Sequence, residues 1–211
     1  MQVLLDGLPI AVPRPSIALA IQAAAADAVK RGRIVIEVKA DGVVLSGEDL
    51  SNPSDENSPV RELAMLSADP RLLVRQTVLD AADALESVRA DQQQASDLIQ
   101  SGNAGEALEV LQRAFITWQA ARDVVARGAA LLSIPLDTLA LQGVPEGATF
   151  ASATTSLLAH LAQLKDALST QDWSALADIV GYDLDADAQT WHALLTAFAD
   201  YIKGLGPGTP A

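Results

Sequence analysis

The chain has 211 residues, half of them hydrophobic and 4% aromatic, with a formal net charge of −13 and no cysteine. That length suits one large domain or two small ones with a real core. The acidity argues against nucleic acid and anionic membrane surfaces, which need clustered Lys and Arg, and the missing Cys excludes disulfide scaffolds and thiolate metal sites.

The N-terminus lacks a basic segment followed by a long apolar run, so no signal peptide is expected. No apolar stretch of about 18 residues occurs, so no membrane span is expected either. A cytoplasmic location is the default expectation.

Residues 1–68 read as a small α/β domain. Val3-Leu4-Leu5 and Pro9-Ile10-Ala11-Val12 flank Asp6-Gly7, a hairpin signal. Ser16 suits a helix N-cap, with Ile17, Ala20, Ile21, Ala24 and Ala28 at helical spacing and Gly32 at the C-terminal stop. Ile34 to Val38 is β-branched, and Asp41-Gly42 turns it into Val43-Val44-Leu45 as a second hairpin. Residues 46–59 read as an acidic loop and Glu62 to Leu66 as a last strand. In element order this ββαββ(β) domain resembles a ubiquitin-like β-grasp, with a ferredoxin-like half as the competing topology.

Residues 69–203 read as a four-helix antiparallel bundle, and 204–211 as a flexible tail. Asp69-Pro70 starts the first helix. Val74, Val78, Ala81, Leu85, Val88, Gln92, Ala95 and Ile99 then step by three and four. The second helix repeats the rhythm through Ala107, Leu111, Ala114, Trp118, Ala121, Val125, Gly128 and Leu132. A long connection follows, marked by Pro135, Gly143, Pro145 and Gly147. The third helix carries Ala153, Leu157, Leu161, Leu164 and Leu168. The fourth runs from Trp173 to Ile202 as one unbroken helix despite Gly181, about 45 Å long. The bundle is read as two related hairpins, because the turn at Ser101-Gly102-Asn103 recurs at Thr170-Gln171-Asp172, 69 residues on. The fold class is therefore α+β.

Nothing in the pattern calls for catalysis, a cofactor or a metal. Asp183, Asp185 and Asp187 match the first acids of a calcium loop, but Ala188 and Leu194 stand where it needs Gly and Glu. The plain reading is a solvated helix face. His160 and His192, the only two histidines, lack ligand-spaced neighbours and read as boundary residues.

The candidate surfaces are instead partner-binding ones. Trp118, Trp173 and Trp191 fill the bundle or anchor an interface, with Trp173 the best placed for partial exposure. The small residues Ala107, Ala114, Ala121 and Gly128 form a strip that either lets helices pack closely or opens a groove for a partner helix.

Ile99-Gln-Ser-Gly-Asn103, Glu106-Ala107-Leu108 and Leu111-Gln-Arg-Ala114 resemble the helix-turn-helix of flagellin-export chaperones. That resemblance implies a small cytoplasmic helical bundle that holds the helical tail of an export substrate. The tyrosine signature of that family is missing, and its bundle has no β-rich preface. The expected function is a non-enzymatic protein-interaction module, chaperone or adaptor-like, linked to flagellar or export machinery. The alternative is a structural subunit forming a homo-oligomer through the bundle or the N-terminal edge strand.

Overall fold

The computed structural model describes residues 1–51 and 60–205. The acidic loop expected over 46–59 therefore falls mostly outside the described residues, as does most of the tail. The fold is α+β: a small mixed five-stranded sheet with one long helix, then helices. Two compact units form, Met1–Leu73 and the chain from Val74 onward.

In the first unit the strands are β1 (Gln2–Leu5), β2 (Leu8–Pro9), β3 (Ile34–Ala40), β4 (Val43–Val44) and β5 (Glu62–Ala68). Helix α1 (Ile17–Lys30) precedes β3, and a single turn, α2 (Glu48–Ser51), lies where the sequence reads as loop. The sheet order is β2-β1-β5-β3-β4, with β1 parallel to β5 and the other pairs antiparallel. Both Asp-Gly pairs turn as expected, with positive φ at Asp6, Gly7, Asp41 and Gly42, the conformation a two-residue hairpin of this type requires.

The two turn aspartates also clamp β5. Asp41 accepts from the backbone N–H of Arg61 (3.0 Å) and Glu62 (2.8 Å) at its start. Asp6 accepts from the N–H and the hydroxyl of Ser67, both at 2.7 Å, near its end. Ser16 caps α1 by accepting from the N–H of Leu19. Alternation along β1 and β5 turns Val3, Leu5, Leu63 and Met65 inward, onto Ile17, Ala20, Ala24 and Ala28 of α1.

In the second unit the helices are α3 (Pro70–Gln100), α4 (Ala104–Leu132), α5 (Phe150–Thr170), α6 (Trp173–Asp178) and α7 (Leu184–Gly204). They share one core. The buried positions of α3 follow the expected seam, except that Ala82 is buried where Ala81 is only half-buried. Ile134 and the half-buried Leu136, Leu139 and Leu141 tie the 133–149 connection to that core.

The two expected turns are built alike. Gly102 and Gln171 both have positive φ. The Asn103 N–H reaches Leu98 O at 2.8 Å and the Asp172 N–H reaches Ala167 O at 2.9 Å, while Gly102 and Gln171 bond Ile99 O and Leu168 O. Each is the same helix-terminating motif, which satisfies the last carbonyls, and each partner pair is 69 residues from its counterpart.

The fourth helix is not uniform. Between α6 and α7, Ile179–Asp183 form a π turn. Apolar residues at Leu176, Val180, Leu184 and Ala188 step by four three times running and are all buried. A 3.6-residue period cannot keep such a series on one face, and a wider turn absorbs the excess. Gly181 makes the turn fit: a Cβ there would lie 2.8 Å from Ser96 Oγ on α3. Ser96 in turn donates to Ala177 O at 3.0 Å.

Candidate functional site

A cleft runs along α4 and α5. One half, of about 250 Å³, is lined by Phe115, Trp118, Gln119, Arg122, Leu157 and Leu161. The other, of about 260 Å³, shares Gln119 and Arg122 and adds Asp123, Val125, Ala126, Leu136, Phe150, Thr154 and Trp191. The helices place these side chains by period: Phe115, Trp118, Gln119 and Arg122 step by three, one and three along α4, and Thr154, Leu157 and Leu161 by three and four along α5. Phe150 enters at the first residue of α5, where a Thr149–Ser152 capping box fixes the helix start.

Aromatic packing stiffens the floor. Trp118 and Trp191 meet edge to face with centroids 5.9 Å apart. Phe150 extends the chain to Trp191 and to Phe198, at 5.7 Å each. Edge-to-face contact suits the ring quadrupoles. The indole N–H groups of Trp118 and Trp191 are buried with no acceptor among the described residues.

The polar groups of the cleft are few. Asp123 pairs with Arg127 at 3.2 Å, and the neighbouring Arg113 pairs with Asp91 at 3.5 Å. Arg122, exposed and common to both halves, makes no ion pair or hydrogen bond among the described residues.

The residues singled out from sequence divide between cleft and interior. Trp118 belongs to both: it borders the cleft but is a core residue only 3% exposed. Ala107, Ala114 and Ala121 are buried in the core, and Gly128 lies against Val74, whose Cγ1 would be 2.6 Å from an added Cβ. The strip thus faces inward as close helix packing and is not an open groove. Trp173 is 40% exposed at the first residue of α6 and lies away from the cleft lining.

A second cluster joins α5 to α7. Asp187 is 6% exposed, accepts from Ser156 at 2.8 Å and lies 2.7 Å from His160 Nδ1. Asp185 pairs with Arg89 of α3 at 2.7 Å, and that bond holds the Arg89 guanidinium above its already high range. These two aspartates are bound to other helices, which corrects the expectation of a solvated face over Asp183–Asp187. In the Ser156–Asp187–His160 cluster the carboxylate stands between hydroxyl and ring. That order binds helices together, and among the described residues Ser156 and His160 both bond Asp187 and not each other, unlike a hydroxyl activated by a base. Among the described residues no group of three or more His, Cys, Asp or Glu side chains could hold a metal, and no helix is long and apolar enough to cross a membrane.

Sequence reasoning did not pick out Phe150, Gln119 or Arg122. Their only signal was position: Phe150 and Arg122 lie one turn from residues of the apolar seam, and Gln119 is next to Trp118. Comparison with protein families, with curated proteins and with solved structures finds nothing that matches this chain.

Proposed function

We propose that this protein is a non-enzymatic interaction module, chaperone or adaptor-like, that grips an apolar segment of a partner protein in the α4–α5 cleft. The observation that carries this reading is the cleft itself. It sets the half-buried Phe115 and Leu161 around a concavity floored by the buried Trp118 and Leu157, with Gln119 and Arg122 as its polar groups. Aromatic and aliphatic side chains around a recess are what peptide-binding grooves use. In this reading α3, α4, α5 and the α6–α7 run form a four-helix bundle of two related hairpins, supported by the matched turns. The sheet order, with β1 parallel to β5 and α1 packed on one face, supports a β-grasp-like first unit. The flagellar or export link rests on the residue likeness around Ile99–Ala114 alone.

The test is recovery of partners from the source cell with the full chain and with Leu161→Arg. One stoichiometric partner held by the wild type and lost by the folded variant supports the reading. Equal recovery by both, or no stoichiometric partner, refutes it.

A self-associating subunit is the second reading. It is favoured by Val43 and Val44, both exposed on the short edge strand β4. Light scattering that finds a monomer at high concentration removes it.

A further inference from the structure

We infer that the partner segment sets an acidic side chain against Arg122, between apolar residues that fill the two halves of the cleft. This rests on the interaction reading above and specifies its chemistry. Arg122 is the one charged residue that lines both halves, beside Gln119. On one side the half-buried Phe115 and Leu161 stand over the buried Trp118, and on the other the buried Phe150 and Trp191 form the floor. A segment that fills both halves passes beside the Gln119 amide and the Arg122 guanidinium.

The charge pattern around Arg122 selects what passes it. The chain has 27 acidic residues against 14 Lys and Arg, so carboxylates are plentiful. The arginines on either side along α4 are engaged, Arg113 by Asp91 and Arg127 by Asp123. The one acid in the lining, Asp123, is the one held by Arg127. Arg122 alone of these three is left without a carboxylate among the described residues. A guanidinium presents a planar fork of donors and no acceptor, so its complement is a carboxylate. Beside aromatic and aliphatic walls the pairing is less screened than on an open surface. A basic or purely apolar segment would leave that cation facing like charge or nothing, which costs affinity.

The experiment selects binders from a random short-peptide display library on the full chain, and in parallel on its Arg122→Glu variant. Selected peptides are then measured on wild type, Arg122→Glu and Leu161→Arg, each checked for helicity by circular dichroism. Wild-type binders are expected to carry Asp or Glu flanked by apolar residues and to weaken at least about tenfold on Arg122→Glu, the size of one charge-assisted hydrogen bond. Selection on Arg122→Glu is expected to exchange the acid for Lys or Arg. Binders that Leu161→Arg abolishes but that show no acid preference and no response to Arg122→Glu overturn the acidic specificity and leave the interaction reading standing. Binders indifferent to Leu161→Arg, or none, overturn both.

Discussion

Asp187 of α7 lies 2.7 Å from Nδ1 of His160 on α5, and its other oxygen accepts from Ser156 one turn earlier on the same helix. One carboxylate, 6% exposed, therefore fixes the register of two helices. Asp187→Ala removes the acceptor for both partners and opens space in a packed layer. The expected loss is about 2–4 kcal/mol, read as a lower denaturation midpoint with unchanged slope. Ser156→Ala is expected to cost about 1 kcal/mol, and less in the Asp187→Ala background, because the two share one interaction.

Gly181 and Ser96 make a similar test of the π turn. A Cβ at 181 would sit 2.8 Å from Ser96 Oγ and 3.2 Å from its Cβ. Gly181→Ala is expected to destabilise by about 1–3 kcal/mol through overpacking. Ser96→Ala alone loses the bond to Ala177 O. In the Gly181→Ala background the same change relieves the nearer clash, so the double mutant should lose less than the sum of the singles. Additive losses would show that the contact is not what limits the site.

The two matched turns differ in the residue that takes positive φ. Gly102 adopts 84° and Gln171 adopts 56°. A left-handed conformation costs a side chain about 1 kcal/mol that glycine does not incur. Gln171→Gly is expected to stabilise the second unit by about 0.5–1 kcal/mol, and Gly102→Ala to destabilise it by a similar amount. Thermal or urea unfolding followed by tryptophan fluorescence reads both, since all three tryptophans lie in this unit.

Gln92 is fully buried on α3, and neither its amide nitrogen nor its oxygen has a partner among the described residues. Replacing an unsatisfied amide with an apolar side chain of similar size removes a desolvation cost. Gln92→Leu is expected to raise stability by about 1–3 kcal/mol. A fall in stability would show that the amide is satisfied by water.

In the first unit, the hydroxyl of Ser67 and then its backbone N–H hold the Asp6 carboxyl below its usual range, against desolvation, with Arg33 and Arg31 adding to the effect. A depressed carboxylate pKa stabilises the fold above the unfolded value of about 3.9, and that contribution is lost as pH falls through the folded value. Protection of β1 and β5 amides from hydrogen exchange is expected to weaken on acidification toward and below pH of about 4. Asp6→Asn should remove that part of the pH dependence while keeping the turn. An identical pH profile in the variant would place the sensitivity elsewhere. The contribution is modest, because the side chain is partly exposed and screened.

Local chemistry made much of this architecture readable. Asp-Gly pairs, the Ser16 cap, β-branched runs and three-and-four steps act through the backbone or the nearest turns, so one sequence suffices to place them. The steps of four from Leu176 to Ala188 carry a trace of the π turn, yet over one or two steps they look like an ordinary three-and-four seam. Only packing against Ser96 decides between them.

The sequence by itself determined the α+β order, the hairpin turns, the two matched helix ends and the apolar face of each helix. These depend on interactions a few residues long. The tertiary structure alone decided that the alanine strip packs inward, that Asp187 is buried against Ser156 and His160, that Asp6 and Asp41 clamp β5, and that Arg122 borders a cleft without an ion pair among the described residues. Each of those depends on which distant side chain arrives within about 3 Å, the reach of a hydrogen bond, and periodicity carries no record of the partner across the core.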